Sequence, residues 1–137
     1  FRFPAELEFQ LFAMAGDVPA PHFPQQAYAQ YQRSLVPESP RSLNEIVVPD
    51  LASKHGPGLF DGIQTLVVAA EGDNATPPAR VAAAAEFWGV ELALLEADWG
   101  LQGNGHLFPI ELNRLAIAER VAAWLAREES AVGATHS

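Results

Sequence analysis

Two short apolar runs limit what this chain can fold into more than anything else in it. "IQTLVVAA", residues 63–70, and "VELALLEA", residues 90–97, are nearly continuous in apolar side chains. A strand with one wet face alternates; a run without alternation is covered on both faces, as in a parallel sheet. Between the runs, "TPPARVAAAAEFWG", residues 76–89, offers Thr76 as an N-cap, prolines in the first turn and Gly89 as a stop, which predicts a helix. Two buried parallel strands joined by a helix form one crossover unit of an α/β fold. Such a pair is not self-sufficient, because each strand leaves an edge of unpaired backbone groups. A larger sheet is required, completed by another chain or another segment.

The flanking segments read differently. After the second strand comes a loop of about ten residues, then "NRLAIAERVAAWLAREE", residues 113–129. There Leu115, Ala118, Val121, Ala122 and Leu125 fall on one stripe, Asn113 can cap the start, and "SAVGATHS" reads as a frayed tail. Residues 1–60 hold 8 of the 11 prolines, in loops such as "PAPHFP", "VPESP" and "KHGPG". Short helices are predicted over 4–15, 25–34 and 42–48. This Pro-broken, aromatic-rich set suits a cap over a site. The division is therefore a helical cap or lid, 1–60, and an α/β core part, 61–137. The opening "FRFPAELEFQ" lacks an initiator Met and reads as a processed or internal start.

Composition removes several function classes. Eight Lys and Arg against 17 Asp and Glu give a net charge of −9, without the clustered cations that nucleic acid or an anionic membrane surface requires. Cysteine is absent, so a disulfide framework and a Cys-based zinc site are both ruled out. No His or Glu pair has metal-ligand spacing, and no apolar run reaches the ~20 residues of a membrane span.

Two polar residues remain where chemistry is expected. Asp73, in "AEGDNATPP", follows the first strand; His106, in "GNGHLFPIELN", follows the second. Ligands of open α/β sheets bind at the carboxyl ends of strands. Both residues leave at that edge, from neighbours roughly 5 Å apart. A carboxylate meeting an imidazole there fixes its tautomer and stabilises the imidazolium. His22, His55 and His136 sit in loops or the tail and read as surface residues. Asp98, at the end of the second strand, is the other carboxylate in reach, or else caps its own turn.

The stretches "IQTLVVAAEGDNATPPARVAAAAEF", "VELALLEA", "GNGHLFPIELN" and "AERVAAWL" resemble the C-terminal half of an α/β-hydrolase, and the histidine loop is most similar to those of bacterial and fungal serine esterases. The resemblance covers residues 63–127, and the cap only loosely. It implies that Asp73 is the triad acid and His106 the triad base, with a helical cap inserted before the acid-bearing strand. In some members the acid lies upstream of the cap, and Asp73 would then be a turn residue. The nucleophile elbow G-x-S-x-G is missing: none of Ser34, Ser39, Ser42, Ser53, Ser130 and Ser137 has that frame. The resemblance places the elbow in an N-terminal half, a separate chain or absent segment, which is then the partner. The implied activity is hydrolysis of a hydrophobic ester without a cofactor. Phe12, Met14, Leu107 and Phe108 are the candidate substrate-binding residues; packing of the cap is the other use for such side chains. A dehalogenase, a C–C hydrolase or a non-catalytic binding protein would share this fold and differ at the elbow.

Overall fold

In the computed structural model, the residues described are 5–23, 25–34 and 56–134. They form a mixed α/β structure with four helices and two small sheets. The third predicted cap helix, 42–48, and His55 and His136 lie outside the described residues.

The N-terminal segment begins with α1 (Ala5–Phe12), whose first turn carries Glu6 and Glu8, the sign that its exposed N–H dipoles favour. It is shorter than the predicted 4–15 because residues 14–19 turn into a hairpin. β1 (Met14–Ala15) and β2 (Val18–Pro19) pair antiparallel, with Met14 opposite Pro19 and Ala15 opposite Val18. Gly16, at φ 62°, is the only positive-φ residue of the two in the turn, which is the backbone a II′ hairpin requires. α2 (Gln25–Ser34) has the predicted bounds; Arg33 Nε donates to the Ala29 carbonyl at 3.0 Å near its C-terminus. Ala13, Ala20, Phe23 and Tyr28 are buried together, with Phe9, Tyr31 and Leu107 packed around them. The rings of Phe9 and Tyr28 meet edge to face at 5.3 Å.

In the core, β3 (Leu66–Ala69) and β4 (Glu91–Leu94) are parallel neighbours, Leu66 beside Glu91 through Ala69 beside Leu94. Both are shorter than the apolar runs that predicted them. The connecting helix, α3 (Pro78–Trp88), ends at Gly89 in the left-handed conformation, and the Val90 N–H closes onto the Ala85 carbonyl at 3.0 Å. Its start differs from expectation. Pro77, not Thr76, holds the N-cap place, and no side chain caps it. Pro77 and Pro78 have no N–H to satisfy, and the Thr76 N–H is taken by Asp73 instead.

α4 (Arg114–Ala134) follows a short 3₁₀ turn, Phe108–Ile110. Nothing in 130–134 forces a stop, since glycine weakens a helix without breaking it, and α4 continues past residue 129. Its sheet-facing side is not the predicted stripe. Ile117 and Trp124 are buried, whereas Leu115 is 70% and Leu125 50% exposed, with Ala118 and Ala122 exposed between them. The bulky pair at i and i+7 directs the packing; two alanines add little area to bury. Ile117 joins Ala70 and Leu95 in a second core, which Val68, Trp99, Leu101 and Phe108 complete. Trp124 Nε1 donates to Glu91 Oε2 at 2.7 Å and ties α4 to the start of β4.

The two edges of the parallel pair are unlike. Glu91 and Leu95 donate to the Thr65 and Ala69 carbonyls, so the alternate amides point away from the pair. On β4 the outward Leu94 N–H is taken by Asp98 Oδ2 at 2.7 Å, and the chain curls back so that the Leu101 N–H meets the Leu95 carbonyl. Such self-closure blunts that edge. On β3 the outward amides belong to Leu66 and Val68.

Candidate active site

Asp73 stands four residues beyond β3, in a turn that its own carboxylate builds. Oδ1 accepts the N–H groups of Ala75 and Thr76, both at 2.8 Å, and the Asp73 N–H reaches the Ala70 carbonyl at 3.2 Å. The side chain is 9% exposed. His106 Nδ1 lies 3.0 Å from Oδ1 and 2.9 Å from Oδ2 of that carboxylate. A carboxylate only accepts, so Nδ1 carries the proton, and the neutral ring presents Nε2 as an acceptor. Among the described residues no partner meets Nε2, and the ring is 31% exposed. One end of the imidazole is therefore held and the other faces outward.

The loop carrying His106 is held on several sides. Glu111, fully buried, accepts the Gly105 N–H at 3.0 Å and the Asn104 amide at 2.6 Å. Asn104 and Asn113 exchange side-chain amide bonds at 2.9 and 3.0 Å. Asn113 therefore starts α4 with its carbonyl, which receives the Ala116 and Ile117 N–H groups, while its side chain serves the loop. Gly105 packs so closely on the Met14 carbonyl that a Cβ there would collide with it. Gly72 allows a similar approach: a Cβ would stand 2.7 Å from the Asn104 carbonyl oxygen and 2.9 Å from Ala15.

Residues 10–22 are bonded directly to this region. The Gly16 N–H donates to the Gly72 carbonyl at 2.9 Å, and Asn74 Nδ2 donates to the carbonyls of Gln10 and Gly16. The Leu112 N–H donates to the His22 carbonyl at 2.8 Å. His22, read from sequence as a surface residue, is half-buried, with its Nε2 3.0 Å from the Gln102 carbonyl. Glu71, which sequence reasoning passed over, accepts the Glu96 and Ala97 N–H groups and so links the turns after the two strands. The "EGD" triplet after an apolar run is the signal that was available for it.

The four candidate substrate-binding residues are divided. The Phe12 ring lies against His106, centroids 5.1 Å apart and planes at 40°. Met14 lines a cleft of about 440 Å³ with Leu7, Gln10, Leu11 and Asn74. Leu107 packs on the cap core and Phe108 on the sheet core, so the two residues after His106 join opposite clusters. Asp98 is occupied by its own turn, and the bond from His106 goes to Asp73.

Among the described residues, no group of three or more His, Asp or Glu side chains is arranged to hold a metal ion. No described helix is long and apolar enough to cross a membrane. Compared with family models, curated proteins and solved structures, the chain matches none.

Proposed function

We propose that this chain is the C-terminal part of an α/β-hydrolase-fold serine hydrolase that cleaves carboxylic esters, supplying the base and the acid of the triad. The observation that carries the reading is the two-oxygen contact of Asp73 with His106 Nδ1, at the carboxyl ends of two adjacent parallel strands. That placement, the outward Nε2 and the cap bonded over the same rim suit a base that works on a hydroxyl brought from outside.

A serine hydroxyl of the N-terminal half attacks the ester carbonyl while His106 Nε2 takes its proton. The imidazolium, stabilised by the Asp73 carboxylate, then protonates the departing alcohol. Water repeats the sequence on the acyl-enzyme and releases the acid. A positioned base contributes about 10²–10⁴ in rate. Backbone N–H groups beside the nucleophile would stabilise the oxyanion. Phe12 walls the ring on one side.

The test is covalent. A fluorophosphonate ester added to the complete protein should label one serine, within a G-x-S-x-G segment, on polypeptide that accompanies this chain. The His106→Ala variant should not be labelled. An aspartate at the elbow would point to dehalogenation, and glycine or alanine to a binding protein. Labelling of a serine within residues 1–137 would contradict the reading.

A further inference from the structure

Glu111 is the one fully buried carboxylate among the described residues, and the proton transfers above do not use it. Among those residues it forms no ion pair; the nearby Arg114 guanidinium donates to the Glu111 backbone carbonyl, not to the side chain. Burying a carboxylate without a cation is costly unless its oxygens are fully engaged. An apolar side chain of this size would fill the space without that cost. Both oxygens do accept: Oε1 from the Gly105 N–H and Oε2 from the Asn104 amide. These are the two residues immediately before His106. The Met14 carbonyl also presses on Gly105, so the backbone there has a second close neighbour. The 3₁₀ turn Phe108–Ile110 closes the short path from His106 back to Glu111.

We propose that Glu111 is a positioning residue for His106: by gripping Asn104 and Gly105 it sets the ring in register with the Asp73 carboxylate. The assignment rests on the reading of His106 as the base. It adds a second carboxylate to the site, one that acts through backbone placement and not by contact with the ring. Donor and acceptor counting separates two substitutions. A leucine at 111 has no acceptor and loses both grips. A glutamine keeps both when the Asn104 and Asn113 amides turn over together: the Asn104 oxygen then accepts from the glutamine nitrogen, the two asparagines still exchange bonds, and the glutamine oxygen still accepts from the Gly105 N–H.

The experiment uses the ¹⁵N-labelled protein as isolated and needs no substrate. The His106 Nδ1–H proton should give a low-field resonance with the Nδ1–H nitrogen pattern. In Glu111→Leu, well below its melting temperature, that resonance should broaden or vanish and the Nε2–H form should grow. In Glu111→Gln it should persist. A purely structural role would lower the melting temperature and leave the ring signals of the folded protein unchanged, and that result would overturn the proposal. If Glu111→Leu does not fold, Asn113→Ala, at a half-buried position, loosens Asn104 alone and should broaden the signal; an unchanged signal overturns the assignment. Ring signals that respond to Glu111 in a protein without ester turnover would fail the hydrolase reading alone. Unresponsive signals beside normal turnover would fail this assignment alone.

Discussion

Asp73 serves three donors with one carboxylate, and an amide cannot do the same. In Asp73→Asn the single oxygen stays with the Ala75 and Thr76 N–H groups, and the amide nitrogen then faces His106 Nδ1. Nδ1 must accept, the proton moves to Nε2, and the ring can no longer take one from a hydroxyl. This substitution should lower kcat for ester turnover by about 10⁴ with the turn intact. A loss under about tenfold would move the acid elsewhere. Tyr31 offers a test in the cap. Its hydroxyl pKa is raised, first by burial and then by the Glu8 carboxylate. The unfolded tyrosine ionises near 10, before the folded one. The stability this contributes is therefore complete below about pH 10 and is lost as pH rises through the higher folded value. Melting temperature should fall above pH 10 in the parent and fall less in Tyr31→Phe; equal profiles would contradict it.

At the scale of elements, the glycines beside the strand ends permit contact between segments. An alanine side chain at 105 would push the His106 loop off β1, and overpacking of this kind costs about 1–3 kcal/mol. Gly105→Ala should show that loss in a denaturant titration; an unchanged midpoint would mean the loop is not clamped there. The sequence made the elements legible where the apolar pattern is strong: the two nearly continuous apolar runs became β3 and β4, and Gly89 ended α3 as glycine should. It did not show the β1–β2 hairpin, because two-residue strands carry no periodicity, only the Gly16–Asp17 turn. It misplaced the buried side of α4, because a stripe containing alanines counts as apolar while offering little area. Asp73 and His106 were legible as neighbours from strand order alone. The Glu111, Asn104 and Asn113 network was not, since hydrogen bonds between loop side chains leave no spacing rule, and the bridging role of His22 runs largely through its backbone.

For the whole molecule, the unlike edges of the parallel pair mark β3 as the side where a larger sheet would continue. Asp98 closes the β4 side, while Leu66 and Val68 direct their amides outward from β3. If the proposed N-terminal half adds its strands there, those two amides should be among the slowest to exchange hydrogen in the complete protein. Exchange as fast as in exposed loops would mean that β3 is a free edge. The interior makes a separate demand. Leu95 is fully buried beside Ala70 and Ile117, so Leu95→Ala should cost about 2–5 kcal/mol by calorimetry or chemical unfolding.

The proposed hydrolysis depends on the imidazole at position 106, and p-nitrophenyl butyrate turnover by the complete protein measures its role most directly. His106→Ala should reduce kcat by at least about 10⁴ while circular dichroism and melting temperature stay near those of the parent. Turnover within about tenfold of the parent, in a variant that folds normally, would contradict the assignment of this ring as the base.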